Sequence, residues 1–218
     1  MTGTEFHISD ASASRHDAEF ILAALDAAVL HLNASGSAAQ WGSEPMSSDA
    51  ARVEAIHKAV DEAEKYRQTG EGSAVEVRVA EVDAVEGAPG HAGDGERMKV
   101  AAICMRDGWW PWYITKTEHL GPKIVGEDSW AYLHILISDY RAGERRKGAG
   151  AALIAEARAR AKARGIKRMY VDCWAGNGRK LVGFYEAQGF AWVDDFVAER
   201  PNLKEFGDFE GAFLRMDL

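Results

Sequence analysis

The chain has 218 residues, 47% of them hydrophobic, and carries 26 Lys and Arg against 34 Asp and Glu for a formal net charge of −8. That length buries a substantial core, no run approaches the ~18 consecutive apolar residues of a membrane span, and the acidic balance opposes nonspecific binding to a phosphate backbone. Neither membrane insertion nor nucleic-acid binding is therefore expected. Residues 1–8 lack the basic start and apolar core of a signal peptide. Cys104 and Cys173 show no ligand spacing, so they read as reduced, buried thiols of a cytoplasmic protein without a metal site.

Phe6-His7-Ile8 reads as a first strand, and Ser14-Arg15-His16-Asp17 has the capping-box form that opens a helix. Ile21, Leu25, Ala28 and Leu32 then recur on one helical face until Gly36. A second helix carries Val53, Ile56, Val60 and Ala63 on its apolar stripe, with Ser47 or Ser48 as its cap and Gly70 as its stop. Residues 75–79 alternate as a strand, and residues 98–105 form another across a polar loop over 87–97 that reads as a surface insertion. Residues 132–138 are a buried strand, residues 168–174 alternate as the next, and two antiparallel strands end the chain over 191–197 and 211–216. A helix stopping at Gly165 and a shorter one ending near Gln188 separate these strands. The order β-α-α-β-β-β-α-β-α-β-β makes an α+β protein. No repeat or linker divides it, so residues 1–218 read as one domain.

The stretch Arg145-Arg146-Lys147-Gly148-Ala149-Gly150, between the strand ending at Ser138 and the helix through Leu153, has the build of an anion cradle. Glycines let backbone N–H groups approach a ligand, and a helix start adds unpaired donors and a positive dipole end. A phosphate or pyrophosphate suits it.

The run resembles motif A of the GCN5-related N-acetyltransferase (GNAT) family, with the match on Arg145, Gly148 and Gly150. Asn177, Tyr185, Gly189 and Phe190 resemble the family's next block. The resemblance covers residues 132–196. It implies a mostly antiparallel twisted sheet flanked by helices, with acetyl-CoA bound at a splayed parallel strand pair as co-substrate. It places the cofactor against Leu136, Ile137, Ser138, Arg145, Arg146, Lys147, Gly148, Ala149, Gly150, Ala151, Asn177 and Tyr185. Two departures from the family's pattern stand out: one residue more than usual between Asn177 and Tyr185, and Arg141-Ala142-Gly143-Glu144 inserted before Arg145.

Acetyl transfer needs an acid for the departing thiolate and a base for the amine. The resemblance assigns the acid to Tyr185, whose phenol, with a pKa of about 10, suits that task. His134 is the candidate base on the preceding strand, with a satisfied core histidine as the competing reading. Glu81 is a weaker candidate of the same kind. Trp41, Trp130 and Trp174, with the run from Trp109 to Tyr113, are candidate walls for an amine acceptor. The competing role is cover for a sheet edge, or the contact of a homodimer.

Three functions follow. The first is an acetyl-CoA-dependent N-acetyltransferase acting on a primary amine of a small molecule or a protein. The second is a non-catalytic acyl-CoA-binding sensor or regulatory module. The third is an ATP- or NAD-binding protein. It is disfavoured because no Lys-Ser/Thr follows the second glycine and no Gly-x-Gly-x-x-Gly is present.

Overall fold

The computed structural model describes residues 4–84, 97–200 and 203–218, so most of the loop expected over 87–97 lies outside the described residues. Seven strands, β1 (His7–Asp10), β2 (Val75–Asp83), β3 (Arg97–Asp107), β4 (Trp130–Ser138), β5 (Arg168–Trp174), β6 (Ala191–Ala198) and β7 (Phe209–Asp217), form one sheet. Their order is β1-β2-β3-β4-β5-β7-β6. Every pairing is antiparallel except that of β4 with β5. The mostly antiparallel α+β sheet expected from the sequence is present.

Helices α1 (Asp17–Ala34) and α2 (Ala50–Thr69) precede β2. Two short helices, α3 (Trp112–Lys116) and α4 (Gly121–Ile124), fill the stretch between β3 and β4 where the sequence pattern showed only a loop. The last two, α5 (Ala149–Ala163) and α6 (Gly176–Ala187), flank β5 in the chain.

Side chains alternate across a strand, and this sheet uses both faces. Ile103, Leu133 and Val171 meet Leu153 and Ile154 of α5 and Val182 of α6 on one face. Val77, Val79 and Cys104 meet Ile21 and Leu25 of α1 and Val60 of α2 on the other. Beside that second cluster, Tyr132, Tyr170 and Phe213 join Ile114 of α3 in an aromatic cluster. Full burial of such side chains contributes about 1.5–3 kcal/mol each.

Two helix starts differ from the sequence pattern. The capping box at Ser14 does not form: α1 begins after His16, at φ 54°, and the buried Asp17 carboxylate takes the Ser12 N–H at 2.9 Å and Lys99 Nζ at 2.7 Å. Asp49, rather than Ser47 or Ser48, caps α2 by accepting from the N–H groups of Ala51 and Arg52. Ser47 is already engaged, its hydroxyl 2.6 Å from Asp26.

One irregularity positions the site. The β3–β4 register slips so that Cys104 opposes Ile135 and Met105 opposes Leu133, which leaves His134 as the extra residue of a β-bulge. The β4–β5 pairing ends at Leu133 and Val171. Beyond it β4 stays with β3 and β5 stays with β7, so the sheet opens between them.

Candidate active site

At the far end of β4 the chain passes through a kinked 3-10 stretch, Tyr140–Arg146, in which Gly143 takes φ 55°. The residues that lengthen this turn fold back: the Asp139 carboxylate accepts the Arg141 N–H at 2.9 Å and grips its guanidinium at 2.9–3.1 Å. The Arg146 guanidinium lies 3.8 Å from the centre of the Tyr140 ring, which stacks on His31 at 3.9 Å. Lys147 is exposed and pairs with Glu144 at 2.7 Å. Arg145 is half-buried, with Nη1 4.0 Å from Met98 Sδ.

Gly148 then starts α5 at φ 90°, a left-handed conformation that glycine adopts without strain. No side chain caps the helix and its first turn holds no acidic residue. The leading N–H groups of Ala149, Gly150 and Ala151 therefore keep their donors for a ligand. A Cβ on Gly150 would stand 3.4 Å from Phe184 Cζ and 3.8 Å from Leu136 Cδ2, so β4, α5 and α6 meet closely here.

The first residues past the last β4–β5 pair are His134 and Asp172. Neighbours Val171 and Cys173 belong to the α5–α6 face, so Asp172 points to the opposite one. There its Oδ1 accepts two phenols, Tyr113 from α3 at 3.0 Å and Tyr132 from β4. Burial raises the Asp172 pKa even though part of the residue stays open to solvent. Burial first, and then the Asp172 charge, also raises the pKa of both tyrosines, which keeps them protonated donors.

His134 stands exposed at the mouth of a crevice, its ring 4.9 Å from Trp109. Desolvation by the surrounding protein, followed by the positive fields of Arg106 and Arg52, pushes its pKa down to about 4. The imidazole is thereby held neutral near pH 7.

Tyr185 approaches from the other face. It is buried, packs edge-to-face on Phe184 at 5.2 Å and on Phe190 at 5.7 Å, and its pKa is raised by burial, then by Cys173 and Asp172. Its hydroxyl has no partner among the described residues and is not sealed from the surface. The extra residue after Asn177 is absorbed before the regular part of α6: Asn177, Gly178 and Arg179 all take left-handed φ of 50–63°. The Asn177 amide donates to Ser37 at 3.3 Å, tying the start of α6 to the loop after α1.

The remaining candidates are placed less centrally. Glu81 is buried and paired with Arg15 on β2, which β3 separates from β4. Trp130 begins β4, stacks on Trp110 at 5.2 Å and donates to the Trp109 carbonyl at 3.3 Å, four residues before the bulge. Trp41 packs partly against the α1–α2 cluster, on the loop that Arg200 ties down through the carbonyls of Ala39 and Gln40. Trp174 folds over the start of α6, where a Cβ on Gly176 would fall 2.2 Å from its ring. On the far side of the Tyr113 ring lies a cavity of about 950 Å³ lined by Trp112, Phe196, Glu118, Glu199 and Glu210.

Sequence reasoning passed over Asp172 and Tyr132. A carboxylate within the apolar alternation Met169-Tyr170-Val171-Asp172-Cys173 was the available signal. Its two partners lie 59 and 40 residues away, and only the fold brings them together.

A scan against protein-family models matches residues 118–190 to the acetyltransferase (GNAT) family. The match spans β4, α5, β5 and α6. The sheet around them has the GNAT fold, with its parallel strand pair. The chain superposes on yncA of Salmonella typhimurium, solved with its cofactor acetyl-CoA, at TM-score 0.57 and 15% identity, over 98% of this chain and 94% of that one. A GNAT-family acetyltransferase from Listeria monocytogenes gives 0.59 and 19% over 100% and 97%. The ribosomal-protein-alanine N-acetyltransferase of Brucella melitensis gives 0.56 and 18% over 97% and 99%. No curated protein sequence matches the chain.

Proposed function

We propose that residues 1–218 form one N-acetyltransferase domain that moves the acetyl group of acetyl-CoA onto a primary amine, in the cytoplasm. The observation that carries this reading is the split between β4 and β5, with an uncapped helix start at one end and a phenol and a carboxylate on its two faces. The residues suit acetyl-CoA. Free N–H groups at Ala149 to Ala151, beside Arg145 and Arg146, would hold its pyrophosphate. Leu136, Ile137 and Ser138 border the opening along which the rest would extend, with Asn177 at the start of α6. Acetyl-CoA supplies an activated thioester, and the protein's task is to orient it, exclude water and move protons.

Tyr185 fits proton donation, since its phenol is protonated through the working pH range and its hydroxyl has no partner among the described residues. Amine acceptors fit the neighbouring N-acetyltransferase fold and the acidic net charge. The acetyl-CoA-dependent release of CoA thiol, measured across small amines and peptides with free N-termini, tests the proposal. Turnover with at least one amine supports it; tight acetyl-CoA binding without turnover would instead make the chain an acyl-CoA sensor.

A further inference from the structure

We infer that Asp172 is the proton acceptor for the incoming amine, held in place by the hydroxyls of Tyr113 and Tyr132. The inference rests on the acetyl-transfer reading and adds to it a residue and a chemical step.

Four observations converge on it. Asp172 is the first β5 residue beyond the last β4–β5 pair, so it stands where the sheet opens. It faces away from α6, so a thioester in the split would have Asp172 on one side and Tyr185 on the other. Both phenols donate to Oδ1 alone, which orients the carboxylate and leaves Oδ2 without a side-chain partner among the described residues. Finally, among the described residues no cation pairs with the carboxylate: its hydrogen-bonding neighbours are neutral, and its raised pKa brings it closer to that of an amine.

Tyr113 from α3 and Tyr132 from β4 face Asp172 directly, whereas Tyr185 of α6 and the neighbouring Cys173 belong to the opposite face. His134 lies across the opening, and β7 offers only Phe213.

In the step, the ammonium R–NH3+ gives one proton to Oδ2 and becomes a neutral amine. The nitrogen lone pair forms the C–N bond at the thioester carbonyl as the C–S bond breaks with its electron pair on sulfur. The phenolic proton of Tyr185 neutralises that sulfur, and a second proton leaves nitrogen to restore the phenol. The products are the amide, the thiol and one proton, which Asp172 then releases to solvent.

The experiment is the pH profile of CoA-thiol release with acetyl-CoA and the best alkylamine of the panel, repeated with aniline, which is unprotonated at neutral pH. Asp172→Asn keeps the size of the side chain and its acceptor oxygen. It should lower kcat with the alkylamine by about 10²–10⁴-fold and abolish the acid limb, with acetyl-CoA affinity and aniline turnover changed only a few-fold. Tyr132→Phe removes one donor to the carboxylate, raises its pKa, and should move the acid limb to higher pH. If Asp172→Asn does not fold, that shift decides the matter alone. Asp172→Asn retaining the acid limb, or kcat within twofold of wild type, would overturn the inference. So would His134→Gln abolishing the limb, because the base would then be His134. Failure of the wild type with every acceptor removes the transferase reading itself, a different result from a live enzyme indifferent to Asp172.

Discussion

Phe184, not Tyr185, is the α6 ring that closes on Gly150, its Cζ 3.4 Å from where a Gly150 Cβ would stand. The two neighbouring aromatics are thereby divided between tasks: Phe184 packs against the helix start, and Tyr185 lies in the core with its hydroxyl unspent. The contact distance bears directly on substitutions at Gly150. Gly150→Ala meets only ordinary van der Waals contact and should leave the fold intact with a modest loss of acetyl-CoA affinity. Gly150→Glu places a carboxylate among the free N–H groups and should abolish binding of both acetyl-CoA and CoA. Calorimetry on folded protein checks both, and unchanged affinity in Gly150→Glu would remove the cradle.

Tyr185→Phe deletes only a hydroxyl, while the ring keeps its contacts with Phe184 and Phe190. With a positioned acid contributing ~10²–10⁴ in rate, or roughly 3–5 kcal/mol of barrier, kcat should fall and acetyl-CoA affinity should hold. Thiolate departs readily, so the low end is expected. A kcat within about twofold, with chemistry rate-limiting, would exclude Tyr185 as the acid.

The lowered pKa of His134 predicts a specific pH dependence of stability. Between about 4 and the unfolded value near 6.5, the unfolded chain binds a proton that the folded chain does not. Stability is thus greatest above about 6.5 and falls as pH drops toward 4. His134→Gln removes this contribution, so its Tm should decline less than that of the wild type from pH 7 to pH 5. Parallel declines would show that the site does not depress the imidazole.

Trp130 is bound into the aromatic cluster through Trp110 and a backbone carbonyl. Trp130→Ala should therefore cost about 3 kcal/mol of stability, at the lower end for truncating a tryptophan because this one is only partly buried. Acceptor KM should stay unchanged. A raised KM without loss of Tm would return Trp130 to the acceptor wall.

Glu81 is buried and pairs with Arg15, whose side chain is 35% exposed, while Lys99 reaches Asp17 at 2.7 Å beside it. Because Arg15 stays in reach of solvent, losing the pair should cost less than the ~3–5 kcal/mol of a fully buried one, so Glu81→Gln should lower the denaturation midpoint moderately. The shape of the kcat profile with pH should not change, because β2 does not border the split. An altered acid limb would contradict this.

The sequence by itself determined the order of the strands and long helices and the α+β class, since each rests on local physics. Apolar periodicity distinguishes helix from strand within a few residues, and glycines before an apolar helix expose backbone donors wherever they occur. Local patterns also misled where a distant group competed. Ser14 did not cap α1, because Asp17 was drawn inward by Lys99, and Ser47 was taken by Asp26. Only the tertiary structure decided the split, because the His134 bulge appears when β4 is laid against β3 and has no sequence period. It likewise separated Phe184 from Tyr185, set Glu81 on a strand that does not border the split and Trp130 at the start of β4, and brought Tyr113 and Tyr132 onto Asp172. A carboxylate's partners are set by which strands and helices become neighbours, and that is a property of the folded sheet rather than of spacing along the chain.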